Sequence, residues 1–324
     1  MKYTYTIIIP HKNSPKLLQR CLDSIPQRED LHVIVVDDNS DADKVDFNHF
    51  PGYDRNDVEL IFTKEGKGAG YARNIGLSKT NSEKVIFADA DDYFNYCLNE
   101  ILDDYKNDNT DIVFFNRLNV DSEYYTYSSK RDYYSKFFAK FEENPKDGEI
   151  LFRYENDGPV CKIVDKSLID EYGIKFEETT NQNDVHFSYM TGYYAKTIKV
   201  DKRAIYTVTY SPKSIMFTWN PEKIKTRIAV NCRRVAFLKK NNVKTRSLYC
   251  LERLLPNIKK EDPGLFEECL AIISQHGLDA KYYRTYINNL IDKEEKEKKK
   301  TERINTIRKI VTPLKNITKR VFHI

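Results

Sequence analysis

The stretch Val85-Ile86-Phe87-Ala88-Asp89-Ala90-Asp91-Asp92-Tyr93-Phe94 is an apolar run that stops abruptly in three carboxylates within four positions. A run of this kind reads as a buried strand. Parallel α/β sheets place ligands at the carboxyl ends of their strands. Asp89, Asp91 and Asp92 therefore fall where a ligand would sit. Three carboxylates packed together repel one another unless a cation lies among them. All-oxygen ligation suits Mg2+ or Mn2+, ions that also hold substrate phosphates. The stretch reads either as a metal–diphosphate site or as a solvated acidic turn capping the next helix, since Asp is a good N-cap.

The flanking sequence supplies the rest of a parallel sheet. Residues 4–9 form a β-rich run that ends at Pro10. A polar turn follows, and Ser14-Pro15 marks a helix start. Leu17, Leu18, Cys21, Leu22 and Ile25 then recur at helical spacing. Residues 31–36 are a second buried strand, again ending in acid at Asp37-Asp38. Strand, helix, strand is the unit of a parallel sheet. Residues 58–62 and 84–88 continue it. Between them lies Gly66-Lys67-Gly68-Ala69-Gly70, either a backbone surface for phosphate or a flexible connection. Its spacing is not the dinucleotide fingerprint.

Further on, a helix near 95–106 and a strand at 111–116 are expected. Periodicity weakens over 118–156, which reads as loops and a helix at 131–142 facing a substrate. Residues 158–165 resume a strand pattern. Two short strands, 197–200 and 204–210, are expected around a turn at Asp201-Lys202-Arg203. Beyond Ser211 the chain becomes helical, over 221–240, 247–255, 265–275 and 280–300.

Composition narrows the class. With 40% hydrophobic and 31% charged residues this is a soluble globular type, and no apolar run approaches the roughly 20 residues of a membrane span. The N-terminus lacks a signal-peptide core. Six scattered cysteines without a C-x-x-C pair suggest free thiols in a reducing cytosol rather than zinc or disulfides. A net charge of +4 and the absence of a recognised motif argue against nucleic acid. The 23 tyrosines fit sugar platforms or ordinary packing.

Four segments appear in order: Thr6-Ile7-Ile8-Ile9-Pro10-His11-Lys12-Asn13, Val33-Ile34-Val35-Val36-Asp37-Asp38-Asn39-Ser40, Ala72-Arg73-Asn74-Ile75-Gly76-Leu77 and Phe87-Ala88-Asp89-Ala90-Asp91-Asp92. Together they resemble the signature of family 2 glycosyltransferases. Residues 160–163, Phe176 and Asn183-Asp184 resemble the family's acceptor-side pattern more loosely, and the likeness spans 4–215. It implies a GT-A fold: a Rossmann-like α/β domain with a mixed, mostly parallel sheet and flanking helices, here with a C-terminal helical extension. The expected organisation is a nucleotide-sugar donor half (1–116), an acceptor half (117–215), the extension (216–302) and a basic amphipathic helix (303–324).

The resemblance implies inverting transfer from a nucleotide diphosphate sugar, usually a UDP-sugar, to a glycan or lipid-linked acceptor in surface polysaccharide synthesis. Asp38, with Asp37 nearby, would recognise the base, and Pro10 and His11 would line that pocket. Asp91, with Asp92, would ligate Mn2+ or Mg2+, and Asp89 would reach the ribose. Arg73 would lie near the diphosphate, and Lys213 would contact it from a closing loop. Asp184 would be the general base, where the bland alternative is a helix cap. Asn183 departs from the family's usual Glu. Glu177 and Glu178 are the next carboxylates in line. His186 reads as a surface residue or acceptor contact, and Trp219 as packing or a sugar stack.

The chemistry agrees. A cation offsets charge on a leaving diphosphate, and a sugar hydroxyl needs one carboxylate to take its proton. A cytoplasmic enzyme is expected. Ile304, Ile307, Ile310, Leu314, Ile317 and Val321 form an apolar stripe beside cations such as Arg308 and Lys315. That pattern suits either a peripheral helix on an anionic membrane or a helix packed on the body or in a homodimer. Two rivals stand beside the transferase: a phosphohydrolase with an aspartyl nucleophile, and a non-catalytic nucleotide-sugar or glycan-binding protein with a degenerate transferase domain.

Overall fold

A computed structural model describes residues 3–127, 134–210 and 219–321, with side chains to residue 304. Four parallel strands form one half of the sheet: β1 (Tyr3–His11), β2 (Leu31–Asp38), β3 (Val58–Thr63) and β4 (Ser82–Phe87). Their helices are α1 (Pro15–Asp23) and α2 (Ala69–Lys79). Pro15 opens α1 as expected, but the Ser14 hydroxyl makes no capping bond. Then come β5 (Tyr93–Phe94), α3 (Leu98–Asp104), β6 (Ile112–Asp121), α4 (Ser135–Glu143) and α5 (Pro145–Tyr154). After them run β7 (Lys162–Asp165), α6 (Lys166–Glu171), α7 (Val185–Tyr194) and β8 (Ile198–Tyr210). The eight strands lie in the order β3-β2-β1-β4-β7-β6-β8-β5.

After β1 the chain winds outward through β2 and β3, then returns to place β4 on the other side of β1. The order reverses between β1 and β4, and the crevice beyond the ends of these two strands is where such sheets bind ligands. β1, β2 and β4 are buried on both faces, which accounts for their unbroken apolar runs. Alternation divides them. Ile7 and Ile9 pack with Leu18, Leu22 and Ile101 on one face, while Ile8 packs with Phe87, Phe114 and Phe187 on the other.

Two expectations need correction. Over 118–156 the described residues hold more regular structure than the loops and one helix expected there. β6 continues to Asp121, and α4 and α5 bury Tyr134, Phe137, Phe138 and Phe152 against the sheet. Gly148 permits this pairing: a Cβ there would lie 2.2 Å from the Phe141 Cα. The polar residues of both helices face solvent and dilute the apolar period. The two strands expected at 197–210 are one strand, β8. The Asp201 carboxylate accepts from the Arg203 N–H at 2.9 Å, and this local turn is absorbed as a bulge opposite Phe115 and Asn116.

The helical extension comprises α8 (Pro221–Lys240), α9 (Cys250–Glu261), α10 (Pro263–Gln275) and α11 (Ala280–Val321). It has its own core, built on Val235, Leu255, Phe266, Leu270 and Ile287. It also joins the main domain, where Val230 packs with Val185 and Tyr189 of α7. The stretches expected as separate at 280–300 and 303–324 meet in the single helix α11, described to Val321, and the side chains of most of the amphipathic stripe lie outside the described residues. All six cysteines are buried free thiols. Among the described residues, no helix is long and apolar enough to cross a membrane.

Candidate active site

Two acidic corners face the crevice. At the first, His11 ends β1 and Asp37 and Asp38 end β2. The Ser14 N–H donates to His11 Nε2 at 3.1 Å. That nitrogen is therefore an acceptor, and the ring proton lies on Nδ1, which donates to Asp37 Oδ1 at 2.7 Å. Asp37 also accepts from the Ser40 N–H (2.9 Å) and hydroxyl (2.6 Å). Burial pushes its carboxyl up, but these donors outweigh burial and hold it below the ordinary value. Asp37 is thus fully engaged within the protein. Asp38 is not. Its Oδ2 accepts from the Gly68 N–H at 2.7 Å, while its Oδ1 is buried without a protein partner. Of the two, Asp38 is the one with an oxygen to offer a ligand.

The second corner follows β4 and behaves oppositely. Burial, then the charge of Asp89, raises the Asp91 carboxyl above its ordinary value. Burial and both neighbouring charges push Asp92 well above it. The repulsion inferred from the sequence is present. Neither residue caps the next helix, since α3 begins at Leu98 with Cys97 at its N-cap. Asp92 is turned away: its Oδ1 accepts from the Thr209 N–H of β8 at 2.7 Å. The Asp91 side chain is exposed, and its carbonyl accepts from Arg20 and the Thr209 hydroxyl. Among the described residues no group of three or more His, Cys, Asp or Glu is arranged to hold a metal. The donor set suits an ion held by one carboxylate and by phosphate oxygens, as Mg2+ commonly is.

Asp89 connects this corner to the distal half. Its N–H donates to the buried Tyr206 hydroxyl at 2.8 Å. Its Oδ1 accepts from Arg73 Nη2 at 2.6 Å, and Arg73 Nη1 donates to Asn183 Oδ1 at 2.9 Å. One buried guanidinium therefore ties Asp89, two residues past β4, to the residue before Asp184. Gly70 lets α2 approach this turn, since a Cβ there would sit 2.1 Å from the Glu177 carbonyl oxygen.

Asp184 lies at the N-cap of α7, but its side chain makes no capping bond. Burial raises its carboxyl to about 6; Arg73 pulls it down, and Asp157 and Asp89 push it up. Desolvation thus outweighs the helix N-terminus, which alone would favour a more acidic group. Below it, Lys162 is fully buried, and burial lowers its ammonium to about 8. Its Nζ donates to the Asn156 carbonyl at 3.1 Å. Glu177 is occupied by Arg233 at 2.6 and 2.9 Å. His186 is half-buried rather than on the surface, with Nδ1 2.8 Å from the Tyr189 hydroxyl. Trp219 is 48% exposed rather than packed. Pro10 is the next-to-last residue of β1 and lies opposite Val36. Lys213 lies outside the described residues.

The structure thus brings Asp89, Arg73, Asn183 and Asp184 into one cluster at the crevice. Asn183, expected as a cap or acceptor contact, accepts from Arg73 instead, and the places of Tyr206 and Lys162 carry no signal in the sequence. Tyr206 meets Asp89 across 117 positions, a separation no local pattern records.

The arrangement is a scaffold of GT-A type, and solved structures share it. Crystalline S. aureus TarS 1-349 in complex with UDP-GlcNAc superposes with a TM-score of 0.63 at 19% identity, over 88% of this chain and 89% of that one. The mannosyltransferase PcManGT from Pyrobaculum calidifontis, in complex with GDP-Man and Mn2+, gives 0.55 at 17% identity, over 89% and 84%. The family follows from sequence: the model of glycosyl transferase family 2 matches residues 6–193, and the chain belongs to that family. Putative glycosyltransferase EpsH of Bacillus subtilis is 23% identical over 249 residues, which cover 73% of this chain and 70% of EpsH. Staphylococcus aureus poly(ribitol-phosphate) beta-N-acetylglucosaminyltransferase TarS is 30% identical over 96 residues, 28% of this chain and 17% of TarS. Membership sets aside the phosphohydrolase reading.

Proposed function

We propose that this chain transfers a sugar, with inversion, from a UDP-sugar to a hydroxyl of a glycan or lipid-linked acceptor in bacterial surface polysaccharide synthesis. The observation that carries the reading is Arg73, bound at once to Asp89 and Asn183. It fixes a carboxylate held near neutrality beside a corner suited to diphosphate. The TarS complex with UDP-GlcNAc supports a uridine nucleotide, and the PcManGT complex with Mn2+ supports a divalent ion.

Asp38 Oδ1 accepts an N–H of the base, and the His11–Asp37 pair holds that pocket in place. Asp89 reaches the ribose, and Asp91 offers its carboxylate to Mn2+ or Mg2+. When bound, that ion neutralises charge on the departing diphosphate. Thr209 holds Asp92, which fixes the acidic turn. Asp184 accepts the proton of the acceptor hydroxyl as its oxygen bonds to the sugar carbon and the nucleoside diphosphate leaves. A carboxyl near about 6 is mostly ionised at neutral pH and close enough to it to be an efficient base.

The test is donor hydrolysis and transfer with Mn2+ across UDP-glucose, UDP-GlcNAc, UDP-galactose and GDP-mannose. Turnover of at least one donor, lost on chelation, supports the reading. Tight nucleotide binding without turnover of any would favour the degenerate binding protein.

A further inference from the structure

The donor corner is built from bonds among its own neighbouring loops, but the turn that carries Asp184 is not. In that turn the Glu177 N–H donates to the Asn183 carbonyl at 3.0 Å. Gln182, two residues before Asp184, has a φ of +53°, a left-handed conformation costly to any residue with a side chain. A turn of this shape needs external support. Part comes from α2, through Arg73 on Asn183 and Asn74 on Glu178, and the rest from α8.

Three residues of α8 bond to the turn. Arg233 forks the Glu177 carboxylate with its Nε and Nη2 at 2.6 and 2.9 Å. Asn231 Nδ2 donates to Gln182 Oε1 at 2.9 Å and to the Arg227 carbonyl at 2.8 Å. The Lys223 carbonyl accepts from Asn181 Nδ2 at 3.0 Å. Asn231 is 4% exposed, so its bonds form away from water, where leaving a partner unpaired is costly. The family match ends at residue 193, and α8 starts at Pro221. The α8 part of the support therefore lies outside the matched region.

We infer that Asn231 and Arg233 are positioning residues for transfer. α8 sets the shape of the 177–184 turn and so the aim of Asp184, which makes the helical extension part of the catalytic unit. This rests on Asp184 being the base. Small displacements of a catalytic group cost about 10²-fold in rate.

The experiment compares Asn231→Ala, Arg233→Met, Arg233→Lys and Asp184→Asn with the full-length protein. It measures amide hydrogen exchange over 177–184, UDP affinity by calorimetry, and kcat and KM for whichever of UDP-GlcNAc, UDP-glucose or GDP-mannose turns over fastest. Asn231→Ala and Arg233→Met should speed exchange in the turn and lower kcat about 10- to 100-fold. UDP affinity and donor KM should stay within about twofold of wild type, and Arg233→Lys should recover part of the rate. Wild-type kcat in Asn231→Ala and Arg233→Met beside an inactive Asp184→Asn would overturn the positioning role alone. Near-normal rates in Asp184→Asn would overturn the base on which it rests. If Asn231→Ala does not fold, Arg233→Met on the more exposed rim decides. A parallel loss of UDP affinity and kcat there would mean a structural seam only, and would also overturn the inference.

Discussion

The ends of β2 and β4 carry the same kind of side chain and treat it in opposite ways. Asp37 is met by three donors, and its carboxyl lies below the ordinary value. Asp92 is buried, Asp91 is crowded against Asp89, and both lie above it. The first corner is complete when the chain folds. The second holds charge that the protein alone leaves uncompensated. Such repulsion is relieved by protonation or by a bound cation. The contrast separates a corner that shapes a pocket from a corner that fills one.

A third carboxylate gives the largest expected effect. Asp184 is raised like Asp91, yet its neighbour Arg73 keeps it largely ionised at neutral pH. Asp184→Asn should lower turnover by about 10²–10⁴-fold, with UDP affinity and melting temperature near wild type. Its protonation should also appear in wild type as an acid limb of kcat near pH 6. A rate unaffected by this substitution would move proton transfer to another group, and the geometry already ties Glu177 to Arg233.

Stability should separate the two corners next. Asp37→Asn puts an NH2 group in place of one of the two oxygens that meet three donors and should cost about 1–3 kcal/mol by urea titration. Asp91→Asn, without metal, relieves repulsion and should leave stability unchanged or higher. Equal destabilisation by both would break the contrast.

The pH dependence is smaller and has opposite signs. Asp91 and Asp92 bind protons more readily folded than unfolded. Their penalty is present above the folded values and is relieved as pH falls toward the ordinary 3.8. Asp37 stabilises above the unfolded value, and that contribution is lost as pH falls through its depressed folded value. Metal-free protein should therefore gain melting temperature on mild acidification before losing it. The gain given by Mn2+ with UDP should shrink over the same range, as protonation removes the charge that draws the ion. A Mn2+ effect independent of pH would place the ion elsewhere.

Much of this was legible in the chain, for local reasons. The four parallel strands follow from short apolar runs ending in polar residues, and α1 from Ser14-Pro15. The acidic positions were visible because Asp-x-Asp after an apolar run is a local pattern. What the sequence hid depends on distant partners or local disguise. β8 reads as two strands because Asp201 turns on itself within it. α5 reads as loop because its polar face interrupts the apolar period, while α4 falls within the helix expected at 131–142 to one residue. Adjacent in sequence and identical in type, Asp37 and Asp38 carry no local mark of which is held by the protein and which keeps an oxygen for a ligand. The difference rests on Ser40, His11 and Gly68 meeting in space. The hold of α8 on Gln182 joins residues 49 positions apart.

Calorimetric titration of UDP into wild type and Asp91→Asn, each with and without Mn2+, tests the central contrast most directly. In wild type Mn2+ should tighten UDP binding by about tenfold or more, as expected when a cation bridges carboxylate and phosphates. In Asp91→Asn that gain should vanish, while metal-free UDP binding, which depends on Asp38, persists. The same Mn2+-dependent gain in both proteins would contradict the assignment of the β4 corner as the one left open for a cation.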